Sequence, residues 1–382
     1  MQTWRRPSGR RFFLPAAPVP QYPGMLATTV NPAVRDLEAL LPVSPDAHAH
    51  NLELAGGRVL VLRLDERAYH AASFLDDRIL TPSTQGAWLP GAVVTEASRR
   101  IREPRPVHFI FHTGHVGSTL LSRLLDETGR VLPLREPLLL RSIAEAAESV
   151  GRPDSLLAEA QFDALLDMTL RLWSRGYAGT RAVVVKATSI AGSLAPALLG
   201  RSPASRAVYL NLAAEPYLAT LLGGANSSTD LRGHGPGRMR RLLAGRSIPV
   251  EPLHALSPGE LAALGWLAES LSRRDAIAAH GPRVLALDFD GFLGDVPGQL
   301  ARVADHFGLA LDPAALAAAA SSAVLGQYSK APQLPYPPGE RAERLAGSRR
   351  DNRTEIARGL AWLERLAGAD AAIGALLAAE RA

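Results

Sequence analysis

Short unbroken apolar runs alternate with stretches of helical period along most of the chain. Val107–Phe111 reads as a buried strand, followed at once by Gly114, Gly117 and a helical Leu120–Leu125. Arg181–Lys186, Arg206–Leu212 and Val284–Asp288 repeat the β-branched run, with helical segments at Leu194–Leu199 and near Pro297–Phe307. A longer amphipathic helix is predicted from about Ser155 to Arg175, capped by Asp154 and stopped by Gly176. Ser257-Pro258-Gly259-Glu260 is a capping box with proline at the first helical position, opening a helix to about Ala279. Asp312-Pro313 starts another helix, and Asn352–Glu355 supplies a second capping box. Strands of this length alternating with helices predict an α/β fold, a parallel sheet flanked by helices on both faces.

The first part of the chain reads differently. Residues 1 to about 30 are rich in proline and arginine without a period, as in an extended or poorly ordered arm. Leu52–Asp65 predicts two strands joined at Gly56-Gly57. Residues 1–104 are therefore expected to form an N-terminal accessory region, arm plus β-hairpin, closed by Pro104 and Pro106, with the main domain over 105–382. Between Asp230 and Glu251 lie Arg232, Arg238, Arg240, Arg241 and Arg246 in a Gly-rich stretch with no acidic residue, which predicts a mobile basic loop or lid.

Composition narrows the chemistry. The chain has 382 residues, a formal net charge of +5 and 0 cysteines, which excludes disulfides, zinc–thiolate sites and a thiol nucleophile. Hydrophobic residues at 47% can bury a real core, and aromatic residues at 5% argue against a single-strand nucleic-acid binder built on stacking. The arginines are scattered and no nucleic-acid recognition motif appears. No window approaches the length of a membrane span, and the basic start, broken by Pro15, Pro18 and Pro20, lacks the secretory pattern, so a cytoplasmic protein is expected. The basic excess points to anionic partners without naming them. The oligomeric state is not legible.

The most informative stretch is His112-Thr113-Gly114-His115-Val116-Gly117-Ser118-Thr119-Leu120, between the Val107–Phe111 strand and a helix. A glycine-containing turn feeding a helix N-terminus points successive amides into one concavity, where the helix dipole favours an anion. Ser118 and Thr119 add hydroxyls, and His115 adds a positive donor when protonated. This is not a Walker A loop: Ser118 stands where the lysine belongs and His112 where the first glycine belongs. An ordinary strand-to-helix turn with capping hydroxyls is the plain alternative.

His115-Val116-Gly117-Ser118-Thr119-Leu120-Leu121 resembles the 5′-phosphosulfate-binding loop of the sulfotransferases. Arg135-Glu136-Pro137 is similar to the Glu-Pro motif that follows it in many bacterial and Golgi-type members. Val184–Thr188 resembles their Lys-Thr-Pro strand end, and Val208–Thr220 the strand and helix of their 3′-phosphate site. Leu285–Leu309 is similar to the late strand and the Phe-Leu-Gly helix, so the likeness spans about residues 107–309. The resemblance implies a P-loop-type fold and transfer of a sulfuryl group from 3′-phosphoadenylyl sulfate (PAPS) to a hydroxyl or amine of a small-molecule or peptide acceptor. It implies that Thr113–Leu120 hold the donor, that Glu136 is the general base, and that Lys186 contacts donor or acceptor. In place of the Arg-Asp-Pro of the 3′-phosphate site stands Ala214-Glu215-Pro216, with Thr220 the nearest hydroxyl. The donor would then be held by other arginines, for instance those of 232–246.

The residues themselves leave alternatives open. Glu136 fits a salt bridge with Arg135 or a helix cap as well as a base, and Lys186 fits a lysine at a sheet edge. Asp288 and Asp290 would hold Mg²⁺ if the same cradle served ATP or GTP in a kinase or hydrolase, though a loop cap or ion pair is the favoured reading. A non-catalytic nucleotide-binding domain is the third possibility. His108 and His112 alternate with core residues and read as structural, and Arg349, Arg350 and Arg353 as a solvated face.

Overall fold

The protein is described as a computed structural model covering residues 32–224, 227–337 and 339–380. The arm expected over residues 1 to about 30 lies outside them. In chain order, α1 (Pro32–Leu40) leads into β1 (Ala47–Glu53), β2 (Arg58–Arg63), α2 (Glu66–Ala71), β3 (Gly86–Pro90) and α3 (Gly91–Arg99). Then come β4 (Val107–His112), α4 (Ser118–Asp126), β5 (Val131–Arg135), α5 (Leu138–Ala147), α6 (Glu159–Trp173), β6 (Ala182–Lys186), α7 (Ala195–Arg201) and β7 (Ala207–Asn211). The remainder is helical apart from β8 (Val284–Asp288). Before that strand lie α8 (Ala214–Leu222), α9 (Ser227–Leu243) and α10 (Pro258–His280). After it lie α11 (Phe289–Gly294), α12 (Val296–His306), α13 (Pro313–Ala320), α14 (Glu340–Asp351), α15 (Arg353–Ala369) and α16 (Ala371–Ala379).

The expected α/β fold is present. β4 to β8 form an all-parallel sheet in the order β5-β6-β4-β7-β8, a P-loop-type arrangement with the first strand of the sheet at its centre. Burial on both faces explains the unbroken apolar runs. Ile110, Val184, Val208 and Leu210 enter one core with residues of α4, α8, α10, α12 and α15. Phe109, Phe111, Val183, Val185 and Tyr209 turn the other way, into a second core with α5, α6 and α7.

The predicted hairpin is β1 and β2, antiparallel around a turn in which Gly57 sits at φ +59°. A third strand, β3, joins its edge. This small sheet shares the second core: Leu37, Val59, Val61 and Leu89 are buried in one cluster with Phe109 and Phe111. Two buried arginines reinforce the junction. Arg175 donates to the carbonyls of Leu41 (2.8 Å), Ser44 (2.6 Å) and Ala47 (2.9 Å). Arg135 donates to the carbonyls of His70 (3.1 Å) and Ala72 (2.9 Å) at the end of α2, and to Asp126 Oδ2 at 2.5 Å. Spending the donors in this way offsets the cost of burying a guanidinium.

Three local expectations are corrected. The long amphipathic helix starts at Glu159, not near Ser155: Gln161 accepts from the Ala158 amide at 2.9 Å, while Asp154 pairs with Arg152 at 3.0 Å. Asn352 makes no side-chain cap, and Glu355 instead accepts from the Gly259 amide of α10 at 2.9 Å, across a helix–helix contact. The Ser257–Glu260 capping box is formed as read. The expected lid over 232–246 is mostly the helix α9. Two of its arginines face inward while Arg232 and Arg240 are exposed: Arg238 lies 3.7 Å from buried Glu269, and Arg241 reaches Glu269 at 2.6 Å and Glu148 at 3.6 Å. Arg240 also pairs with Glu148, and Arg246 lies 3.6 Å from Asp370. Among the described residues no helix is long and apolar enough to cross a membrane.

Candidate active site

The centre of the sheet delivers the loop. β4 runs out at His112, whose Nε2 pairs with the Ala187 carbonyl at 2.8 Å, and the Thr113 amide is held by the Leu210 carbonyl at 3.1 Å. Beyond it Gly114 (φ +104°), His115 (φ +54°) and Gly117 (φ +69°) adopt left-handed backbone. This conformation turns neighbouring amides toward one side, the geometry of an anion nest. Val116 within the turn is buried as part of the core. Gly117 is required twice over, because a Cβ there would lie 2.0 Å from the Phe289 ring.

A cavity of about 390 Å³ opens beside this loop. His115, Val116, Gly117, Ser118, Thr119, Leu120, Lys186 and Thr220 line it; Thr113, Gly114 and Glu136 do not. Thr113 Oγ1 and Thr119 Oγ1 are buried without a hydrogen-bond partner among the described residues, whereas Thr220 donates to the Pro216 carbonyl at 2.7 Å. The His115 ring is exposed in the cleft, yet its pKa is lowered to about 4, first by desolvation between the crowded walls and then by Lys330, Lys186 and Arg238. The imidazole is therefore neutral in the open cleft rather than partly cationic.

Glu136 and Lys186 sit side by side because β5 and β6 pair in register, Arg135 opposite Lys186, with the Glu136 amide donating to the Lys186 carbonyl at 2.6 Å. Lys186 is 1% exposed and its ammonium pairs with Glu136 Oε1; Arg141, from the first turn of α5, lies 4.0 Å from Oε2. Burial pushes the Glu136 carboxyl up, but Lys186, Lys330 and Arg141 outweigh it and hold it below the usual carboxylate range. Burial likewise depresses Lys186, only partly offset by Glu136. Glu136 holds a left-handed φ of +49°, a conformation disfavoured for glutamate. Its neighbour in the chain, Arg135, points into the core instead, so Glu136 does not pair with it.

Sequence reasoning missed the opposite wall. The segment between α13 and α14 crosses the cleft and contributes Gln327, Tyr328, Lys330 and Tyr336, and α14 adds Arg341 and Arg344. Arg123 of α4 ties this segment down, donating to the Ser329 carbonyl at 2.8 Å and to Ser73 at 2.7 Å. Arg341 pairs with Asp290 at 2.7 Å and stacks over Phe289, and Arg344 pairs with Glu340 at 2.7 Å. Lys330 has no ion-pair partner among the described residues, yet its charge is felt at His112, His115, Glu136 and Lys186. One signal was available: the chain contains 2 lysines, and both line this cavity.

The remaining candidates have ordinary partners. Asp288 caps α11 by accepting from the Gly291 amide at 2.8 Å, and Asp290 is engaged by Arg341. Glu215 is gripped by both arms of Arg349 (2.9 and 2.7 Å), so Arg349 is spent on the segment where a phosphate arginine was sought. His108 stacks on Phe307 with centroids 4.8 Å apart. Among the described residues no cluster of three His, Asp or Glu side chains is arranged to hold a metal ion.

No family model and no curated protein matches the chain. Two similar solved structures are sulfotransferase domains. That from the curacin biosynthetic pathway is 15% identical with a TM-score of 0.37, covering 64% of this chain and 98% of that domain. That from the Synechococcus PCC 7002 olefin synthase is 17% identical with a TM-score of 0.34, covering 64% of this chain and 95% of that domain. At these values the reading of the site rests on its own geometry.

Proposed function

We propose that the chain is a sulfotransferase that moves a sulfuryl group from PAPS to a hydroxyl or amine of a small-molecule or peptide acceptor. One observation carries the reading: an ionised, half-enclosed carboxylate, Glu136, adjoins an anion nest through Lys186. The residues present fit the donor. Thr119 Oγ1 is an orphaned buried hydroxyl at the nest, Gly117 leaves no room for a side chain, and Phe289 and Tyr336 offer ring faces within the cavity.

In this reading the amides of the 113–119 loop, Ser118 and Thr119 hold the donor's 5′-phosphosulfate. Lys330, with Arg344 and Arg341 at the cavity wall, supplies the positive charge that Ala214 cannot. An anion in the nest raises the His115 pKa, favouring a cationic ring with two N–H donors when the site fills. Bound PAPS supplies an activated sulfuryl group: the acceptor–sulfur bond forms as the bond from sulfur to the 5′-phosphate breaks, and the acceptor proton passes to Glu136. Lys186 keeps Glu136 ionised in the free protein. When Lys186 turns toward the donor's charge, Glu136 loses that stabilisation and becomes the stronger base its role requires.

The test is a donor screen. PAPS and adenosine 3′,5′-bisphosphate should raise the melting temperature, and labelled sulfate should pass from PAPS to components of a metabolite extract. Glu136→Gln should keep the melting shift and lower turnover by about 10²–10⁴-fold, the usual worth of a positioned base. Stabilisation by Mg²⁺–ATP with none by PAPS would overturn the reading in favour of a nucleotide-using enzyme.

A further inference from the structure

The two oxygens of Glu136 face different cations. Oε1 meets Lys186, which lines the donor cavity; Oε2 faces Arg141, which does not line it. Arg141 is poorly spent. Among the described residues its Nε is buried without a hydrogen-bond partner, and its one ion contact is the 4.0 Å approach to Glu136. A buried guanidinium donor without a protein partner is completed by water or by a ligand.

The surroundings do not supply that partner. Asp76 accepts from both arms of Arg78 (2.8 and 2.6 Å), and the Arg78 guanidinium stacks 3.4 Å from the centre of the Phe74 ring. On α9, Asp230 lies 3.6 Å from Arg238 and 3.7 Å from His234. Arg141's charge is felt at Asp76 and at His234. Glu148, further along α5, is occupied by Arg240 and Arg241. The carboxylates around the acceptor side of Glu136 are thus committed, and Arg141 is left over.

We propose that Arg141 binds an oxyanion, a carboxylate or phosphate carried by the acceptor, and so restricts this enzyme to acidic acceptors. The inference rests on the sulfuryl-transfer reading of the site. An acceptor approaching Glu136 Oε2 from the side away from the donor brings its own charge beside Arg141. A planar guanidinium fork suits either anion, by two parallel N–H···O bonds.

Ligand-observed NMR tests this on the full chain saturated with adenosine 3′,5′-bisphosphate, using acetate, methyl phosphate and neutral acetamide as probes. Acetate or methyl phosphate should bind, acetamide should not, and Arg141→Gln should weaken anion binding about tenfold or more. Which of the two anions binds more tightly tells carboxylate from phosphate acceptors. Equal anion binding in the two proteins, or no preference over acetamide, overturns the proposal. A variant that changes only the low-pH limb of a rate profile would assign Arg141 to keeping Glu136 ionised, which also overturns it. If the bisphosphate itself does not bind, the donor reading fails separately. The comparison of the two proteins without it still reports on Arg141, since any nest-bound anion is common to both.

Discussion

At Gly117 two independent constraints meet in one residue. Its φ of +69° disfavours any L side chain by about 1–2 kcal/mol, and the Phe289 ring occupies the space a methyl group would need. Gly117→Ala should therefore move either the loop or the ring, both of which border the cavity. The expected result is a folded protein whose affinity for adenosine 3′,5′-bisphosphate drops about tenfold or more, roughly 1.4 kcal/mol, by calorimetry. Undiminished affinity would detach the nest from donor binding. At this scale the chain was readable where chemistry is local: the glycines, Ser118 and Thr119 mark a tight strand-to-helix turn by type and spacing. Glu136 and Lys186 were each legible, but not their pairing, which depends on two strands aligning in register. Arg141, Lys330 and Arg344 carry no local signature, because only the fold brings Lys330 and Arg344 to the cavity and Arg141 to within 4.0 Å of Glu136.

Elements were legible where burial dictates composition. β4, β6 and β7 must be apolar on both sides and so appear as unbroken runs, while β3, with Gly86 and Pro90 at its ends on the edge of a small sheet, has no such obligation. α9 misled for a physical reason. Gly233, Gly235, Pro236 and Gly237 are poor helix formers, and the helix is held by tertiary partners instead. Asp230, His234, Arg238 and Arg241 fall on one face, and a Cβ at Gly237 would sit 2.5 Å from Glu148, so small residues permit the approach that the arginines secure. α10 depends on outside help in a different way. Its first turn is satisfied partly by its own capping box and partly by Glu355 of α15. Glu355→Ala should cost about 0.5–2 kcal/mol in denaturant unfolding, in the range of a lost N-cap. An unchanged midpoint would show that water replaces the carboxylate.

The molecule as a whole stores its acid sensitivity in buried histidines. Burial lowers His48 to about 3 and His108 to about 4, and drives His112 well below its ordinary value. Between those values and the unfolded value near 6.5, the unfolded chain binds more protons than the folded one, so stability is fully present above this window and is lost as pH falls through it. Each histidine contributes up to about 1.4 kcal/mol per pH unit there. Glu136, held low when folded, adds a further loss as pH drops through its folded pKa. Urea unfolding at pH 7.5, 6 and 5 should show a steep decline, and His48→Phe should flatten it, since that ring has an unpartnered Nε2 and packs edge-on against Tyr69. A flat profile would contradict the buried neutral state.

Arginine supplies nearly all of the fixed positive charge in this chain, and its 2 lysines both line the cleft. Amine-directed acylation, ordinarily an indiscriminate surface stain, becomes here an address label. Lys330, half-exposed and without an ion-pair partner among the described residues, offers the more open of the two ammonium groups, and Lys186 is shielded by Glu136. Mass shifts at two peptides would report who occupies the cleft without altering a residue.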